Sequence, residues 1–166
     1  MREVIFAIPG DLNTPTGGYR YDKRVIEELP ALGWRVKHLQ LSGEFPSPSE
    51  QTLIETAKTL STIPADALVM IDGLALGAIP LSILKSLKAR LIALCHHPLA
   101  FETGLSSDRI DYLYRTEREA LSRAIATIAT SRSTAELLAR EFNVAPNDLT
   151  VAEPGNEPAP RPHGNA

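Results

Sequence analysis

An apolar run, Glu3-Val-Ile-Phe-Ala-Ile8, ends in Pro9-Gly-Asp-Leu-Asn-Thr-Pro-Thr-Gly-Gly18, a stretch too rich in glycine and proline to continue as strand or helix. A helix is predicted to follow from Tyr19 to Leu32, where Val25, Ile26, Leu29 and Leu32 recur at the spacing of a single apolar stripe. Pro30 predicts that its last turn is bent or 3₁₀. Strand, glycine loop and helix in that order form the opening unit of a parallel sheet. The loop then lies at the carboxyl edge of the strand, where the free N–H groups opening the helix face a phosphate or a sugar hydroxyl. Gly17-Gly18 allows φ > 0 and close approach of a ligand, although an ordinary tight turn has the same composition. The pair matches neither the G-x-G-x-x-G nor the P-loop pattern.

The same alternation continues. Trp34–Leu41 alternates apolar with polar residues, as a strand exposed on one face does. Ser42–Ser49 is a proline-containing loop, and Glu50–Leu60 a short amphipathic helix capped by Ser47 or Ser49. Ala67–Ile71 is a wholly apolar strand closed by Asp72-Gly73, Gly77–Lys88 is predicted as a helix, and Ala89–Cys95 is a strand ending in His96-His97-Pro98. Arg109–Arg123 is a charged helix, Ala124–Ala129 a strand, Thr130-Ser131 the cap of a helix reaching Phe142, and Leu149–Ala152 the last strand. Six alternations and the right-handed crossover rule predict a Rossmann-like, doubly wound parallel sheet in three α/β/α layers, as a single domain over residues 1–152. Glu153–Ala166 holds four of the thirteen prolines and has the composition of an interdomain linker or tail.

With 166 residues the chain buries roughly 70% of its unfolded surface and builds one core. A net charge of −3 gives no basic footprint for nucleic acid. The single cysteine, Cys95, is expected in the core, and with no secretory leader the expected location is the cytoplasm. The most apolar window, residues 65–84, is broken by Asp72-Gly73 and Pro80 and predicts two buried elements and no transmembrane segment.

The segments Pro9–Gly18, His96–Ala100, Thr116–Ala120, Thr130-Ser131 with Thr134–Leu138, and Val151–Gly155 follow one another in an order that resembles the N-terminal domain of GT-B glycosyltransferases of the family-4 kind. The resemblance runs from Arg2 to about Pro158. It implies the acceptor-binding half of a retaining, nucleotide-sugar-dependent glycosyltransferase, facing a donor-binding domain across a cleft. Such a half is expected to be inactive without a separate or downstream donor domain, whose paired glutamates do not occur here. The resemblance further implies no cofactor beyond the nucleotide-sugar as co-substrate, and no metal.

Residue by residue, Gly17 and Gly18 match the loop whose amides approach the donor phosphates. His96 or His97 matches the active-site histidine, with His96 preferred as the first residue past the strand. Neighbours on an extended chain point to opposite faces, and no acidic or cysteine cluster is expected to complete a metal shell around the pair. Arg20, Lys23 and Arg24 are candidate contacts to an anionic acceptor, or else a solvated face, and Glu102 is a candidate for sugar hydroxyls. The site is expected at the carboxyl ends of strands one and four, with an apolar patch beside it where self-association can occur. Two rival functions remain: a non-catalytic sugar-binding or partner module of the same fold, and a small Rossmann-like enzyme acting alone. Gln40-Leu41-Ser42, where such an enzyme places a ribose-binding acid, argues against the second.

Overall fold

The computed structural model describes residues 2–155. Its elements are β1 (Arg2–Pro9), α1 (Gly17–Glu28), β2 (Trp34–Leu41), α2 (Glu50–Ser61), β3 (Leu68–Asp72), the single turns α3 (Gly73–Leu76) and α4 (Leu81–Leu84), β4 (Arg90–Cys95), α5 (Ser107–Arg123), β5 (Ala126–Ala129), α6 (Arg132–Phe142) and β6 (Leu149–Val151). All six strands are parallel, in the order β2-β1-β3-β4-β5-β6. The predicted Rossmann-like α/β sheet is therefore present. The chain leaves β1 towards β2 and returns across β1 to β3, so strand order reverses between β1 and β3. In open α/β sheets a crevice forms outside the carboxyl ends of the strands at such a switch point.

Crossover handedness decides which helix covers which face. The β1–β2 connection runs opposite to the others, which puts α1 on one face and α2 to α6 on the other. The packing agrees. Ala7, Val69, Ile71, Leu91, Ala93 and Ala129 join Leu60, Leu84, Ala120 and Leu138 in one large core. Phe6, Ile8, Met70 and Leu94 join Tyr21, Val25 and Ile26 of α1, and Leu29 just past its end, in a smaller one.

Helix ends follow their capping residues. Thr16, Ser49, Ser106 and Ser131 each accept a hydrogen bond from the backbone N–H three residues on. The predicted bend at Pro30 is a 3₁₀ turn, Leu29–Leu32, stopped by Gly33 at φ 82°. Two expectations are corrected. The helix predicted over Gly77–Lys88 is only the turn Leu81–Leu84, because Pro80 at its head has no N–H to continue a helix from α3. Gly17 and Gly18 are not loop residues of positive φ: they form the first turn of α1, with Thr16 as cap, and positive-φ glycines occur instead at 10, 33 and 104. No helix among the described residues is long and apolar enough to cross a membrane. The expected tail falls mostly on residues 156–166, outside the described residues; within them, Glu153 approaches Arg132 at 3.8 Å.

Candidate functional site

The end of β3, the loop after β4 and the first turns of α1 border a pocket of about 320 Å³ lined by Thr16, Gly18, Tyr19, Asp22, Asp72, Leu74, His96, His97, Leu99 and Glu102. Gly18 and His96, distant in sequence, meet on one concave wall as expected. The expectation of strands one and four omitted the strand between them, and β3 contributes Asp72, at the centre of the site.

Asp72 ends β3 and caps α3 by accepting from the Leu74 N–H at 2.9 Å. The next residue must be small: a Cβ on Gly73 would lie 2.9 Å from the Leu94 carbonyl oxygen of β4. This close approach of backbone to backbone sets the Asp72 carboxylate beside the residue that follows Cys95. His96 Nε2 lies 3.2 Å from Asp72 Oδ2 and 3.0 Å from Asp22 Oδ1. Asp22 comes from the second turn of α1 and is 1% exposed. The ring is fixed on its other sides by Tyr21, edge-on at 5.3 Å, and the loop by Thr134, whose hydroxyl donates to the His96 carbonyl at 3.0 Å.

The electrostatics follow from that enclosure. Burial alone would push the His96 imidazole down; the hydrogen bonds and negative charges of Asp22 and Asp72 outweigh it and carry it to about 9. Burial pushes the Asp22 carboxyl up to about 6, with the His96 cation opposing and the Asp72 charge adding to the rise. Raised to about 9, the His96 imidazole is a hydrogen-bond donor and local positive charge and not a free base. Asp22 Oδ2 is buried and has no hydrogen-bond partner.

His97 lines the pocket but does not join the cluster: it is exposed, with Nε2 3.4 Å from the Phe101 carbonyl. Opposite orientation of the two rings was expected; the acids Asp22 and Asp72, which the sequence reading did not place here, meet His96 and not the pair. Asp22, Asp72 and His96 offer ligand atoms within 4.8 Å of one another and are the residues that could hold a metal ion.

Glu117 of α5 supports the histidine loop from below. It is 3% exposed and accepts from the N–H groups of Leu99 at 3.1 Å and Ala100 at 3.4 Å. Burial raises its carboxyl to about 7, the two N–H donors hold it down in part, and the charge of Glu102 raises it further.

Other sequence candidates lie outside the pocket. Arg24 pairs with Glu27 and Glu28, Lys23 donates to Asn13, Arg20 is exposed, and none of the three lines the cavity. Gly17 does not line it either. Glu102 does, and Cys95 is in the core as expected, 2% exposed, its thiol pushed up by burial.

Asp22 and Glu117 escaped the sequence reading although each carries a signal. Asp22, Val25, Ile26 and Leu29 stand at i, i+3, i+4 and i+7, and Leu113, Glu117, Ala120 and Leu121 at i, i+4, i+7 and i+8. An acid in phase with an apolar stripe is buried and must have a partner.

A parallel α/β sheet whose switch-point crevice is lined by a part-buried histidine, two aspartates and a helix-opening glycine defines a Rossmann-like module with one pocket at the strand ends. The sequence model of Glycosyltransferase Family 4 matches residues 16–159, and the chain belongs to that family. No curated protein matches the sequence.

Proposed function

We propose that this glycosyltransferase-type domain holds the acceptor sugar in a transfer from a nucleotide-sugar, with retention of anomeric configuration, a donor-binding domain completing the cleft. The supporting observation is the Asp22–His96–Asp72 cluster on the wall of an open pocket whose other side is the first turn of α1. Carboxylates and an imidazolium fixed by packing suit hydroxyl recognition, since each sugar hydroxyl both donates and accepts. His96, with its Nε2–H held by two carboxylates, acts as a positioned cation whose Nδ1–H is the ring donor left for a hydroxyl near the reacting centre. Gly18 leaves the helix opening without a side chain where donor phosphates would approach.

The test is titration of the chain with hexoses and, separately, with nucleoside diphosphates, followed by amide and histidine-ring NMR. Sugar-dependent shifts at Gly18, Asp72 and His96 without comparable nucleotide binding are expected. Turnover of a nucleotide-sugar by this chain alone, or nucleotide binding in place of sugar at His96, would overturn the acceptor assignment.

A further inference from the structure

The charges around the pocket narrow the acceptor beyond the proposal above, on which this inference rests. Of the residues that line it, Asp22, Asp72 and Glu102 are acids; His96 already shares its Nε2–H between two carboxylates, and His97, the other histidine, has its Nε2 3.4 Å from the Phe101 carbonyl. No arginine or lysine among the described residues lines it. Of the cations nearest in sequence, Arg24 and Lys23 are engaged with Glu27, Glu28 and Asn13, and Arg20 is exposed outside the lining. Phosphate and carboxylate sites are ordinarily built from arginine forks or lysine. The start of α1 supplies only about half a positive charge, against one acid of the cluster left over and Glu102 besides. Hydrogen-bond stoichiometry points the same way. Asp22 Oδ2 is buried without a donor, and an ionised phosphate or carboxylate has none to offer, whereas a hydroxyl or ammonium group does.

We infer that the pocket selects an uncharged or amine-bearing polyol as acceptor and discriminates against phosphorylated and carboxylated sugars. Discrimination of this kind comes from unpaired like charge placed against the wrong ligand.

The experiment compares glucose, glucosamine and a glucose phosphate at low salt, reading His96 ring shifts for site and calorimetry for affinity. Glucosamine is expected to bind at least as well as glucose, and the phosphate about tenfold more weakly, or ~1.4 kcal/mol. Glu102→Lys, an exchange at an exposed position that leaves folding intact, is expected to narrow or reverse that order. Tighter binding of the phosphate than of glucose at His96 in the unaltered chain would overturn the charge inference and leave the acceptor site standing. Failure of every sugar to shift His96 would overturn both.

Discussion

The two faces of the sheet are built from the same strands yet are finished differently. On one, α2 to α6 close over Val69, Ile71, Leu91, Ala93 and Ala129. On the other, α1 covers β1 and β2, and beside it runs an apolar groove of about 300 Å³ lined by Tyr21, Leu29, Trp34, Met70, Ile92 and Ile128 among others. Parallel sheets are ordinarily covered on both faces. The cause is topological: five crossovers carry helices, and only the first runs in the opposite direction. The Asp22–His96–Asp72 cluster stands where the faces meet, with Asp22 contributed from the open side, Asp72 and His96 from strand ends, and Glu117 bracing the histidine loop from the closed side.

Two neighbours on β4 give the largest expected effect. Leu91 points to the closed face and is fully buried, while Ile92 points to the groove and is half-buried. Leu91→Ala should cost about 3 kcal/mol in urea denaturation, from lost transfer energy and an unrelaxed cavity. Ile92→Ala should cost about 1 kcal/mol, since its apolar area is only partly withdrawn from water. Equal losses would break the comparison, and a loss at Ile92 that grew with protein concentration would identify self-association as what covers the groove.

Titration sharpens the contrast between the two sides of the site. Glu117 rises from 4.5 to about 7 on folding, so the folded chain holds that proton more tightly. The resulting stability is fully present below about pH 4.5 and is lost as pH rises through about 7, by about 2 kcal/mol after allowance for relaxation. Asp22, raised from 3.8 to about 6, loses its share earlier. His96, raised from 6.5 to about 9, contributes stability present below 6.5 and lost as pH climbs through 9. Stability against pH should therefore fall in two stages. Glu117→Gln should flatten the stretch around pH 6 to 7, and His96→Gln the stretch above it; a single fall untouched by either variant would show that these groups do not titrate as their burial and partners require.

How much of this was legible beforehand differs by side in the same way. Strands with apolar runs and helices with caps were visible because local periodicity and a single capping residue decide them, as at Ser49 and Ser131. The helix expected over Gly77–Lys88 failed because periodicity outvoted Pro80. His96 and Gly18 were brought to one wall because every β–α loop of a parallel sheet opens on the same edge. Asp72 was passed over as a mere turn residue, since nothing in Asp72-Gly73 by itself announces that Gly73 must pass under the Leu94 carbonyl. The acidic partners of His96 required knowing that α1 lies over the ends of β3 and β4, and that is a consequence of strand order.

The groove should respond weakly to polarity. Ile128→Thr keeps the β-branched shape on β5 and exposes a hydroxyl to a half-open surface, so its cost should stay below about 1 kcal/mol. Binding of a hydrophobic dye should fall at the same time. A cost as large as that of Leu91→Ala would mean that the face is closed in solution.

The smallest effect on stability is expected at Gly18, and it separates what α1 needs for folding from what the site needs for binding. Gly18 stands in the first turn of the only helix on the open face among the described residues, without positive φ, and a Cβ there would meet the His96 ring at an ordinary 3.5 Å. Neither backbone strain nor crowding requires glycine. Gly18→Ala should therefore raise stability by about 0.5 kcal/mol, by reducing the freedom of the unfolded chain. The same methyl group projects at the pocket wall beside His96, where it should weaken sugar binding several-fold while the His96 titration stays near 9. A variant that gained stability and kept full sugar affinity would remove Gly18 from the binding surface. One that lost stability would show that α1, lacking neighbouring helices, depends on its glycine-bearing first turn for more than the cap at Thr16.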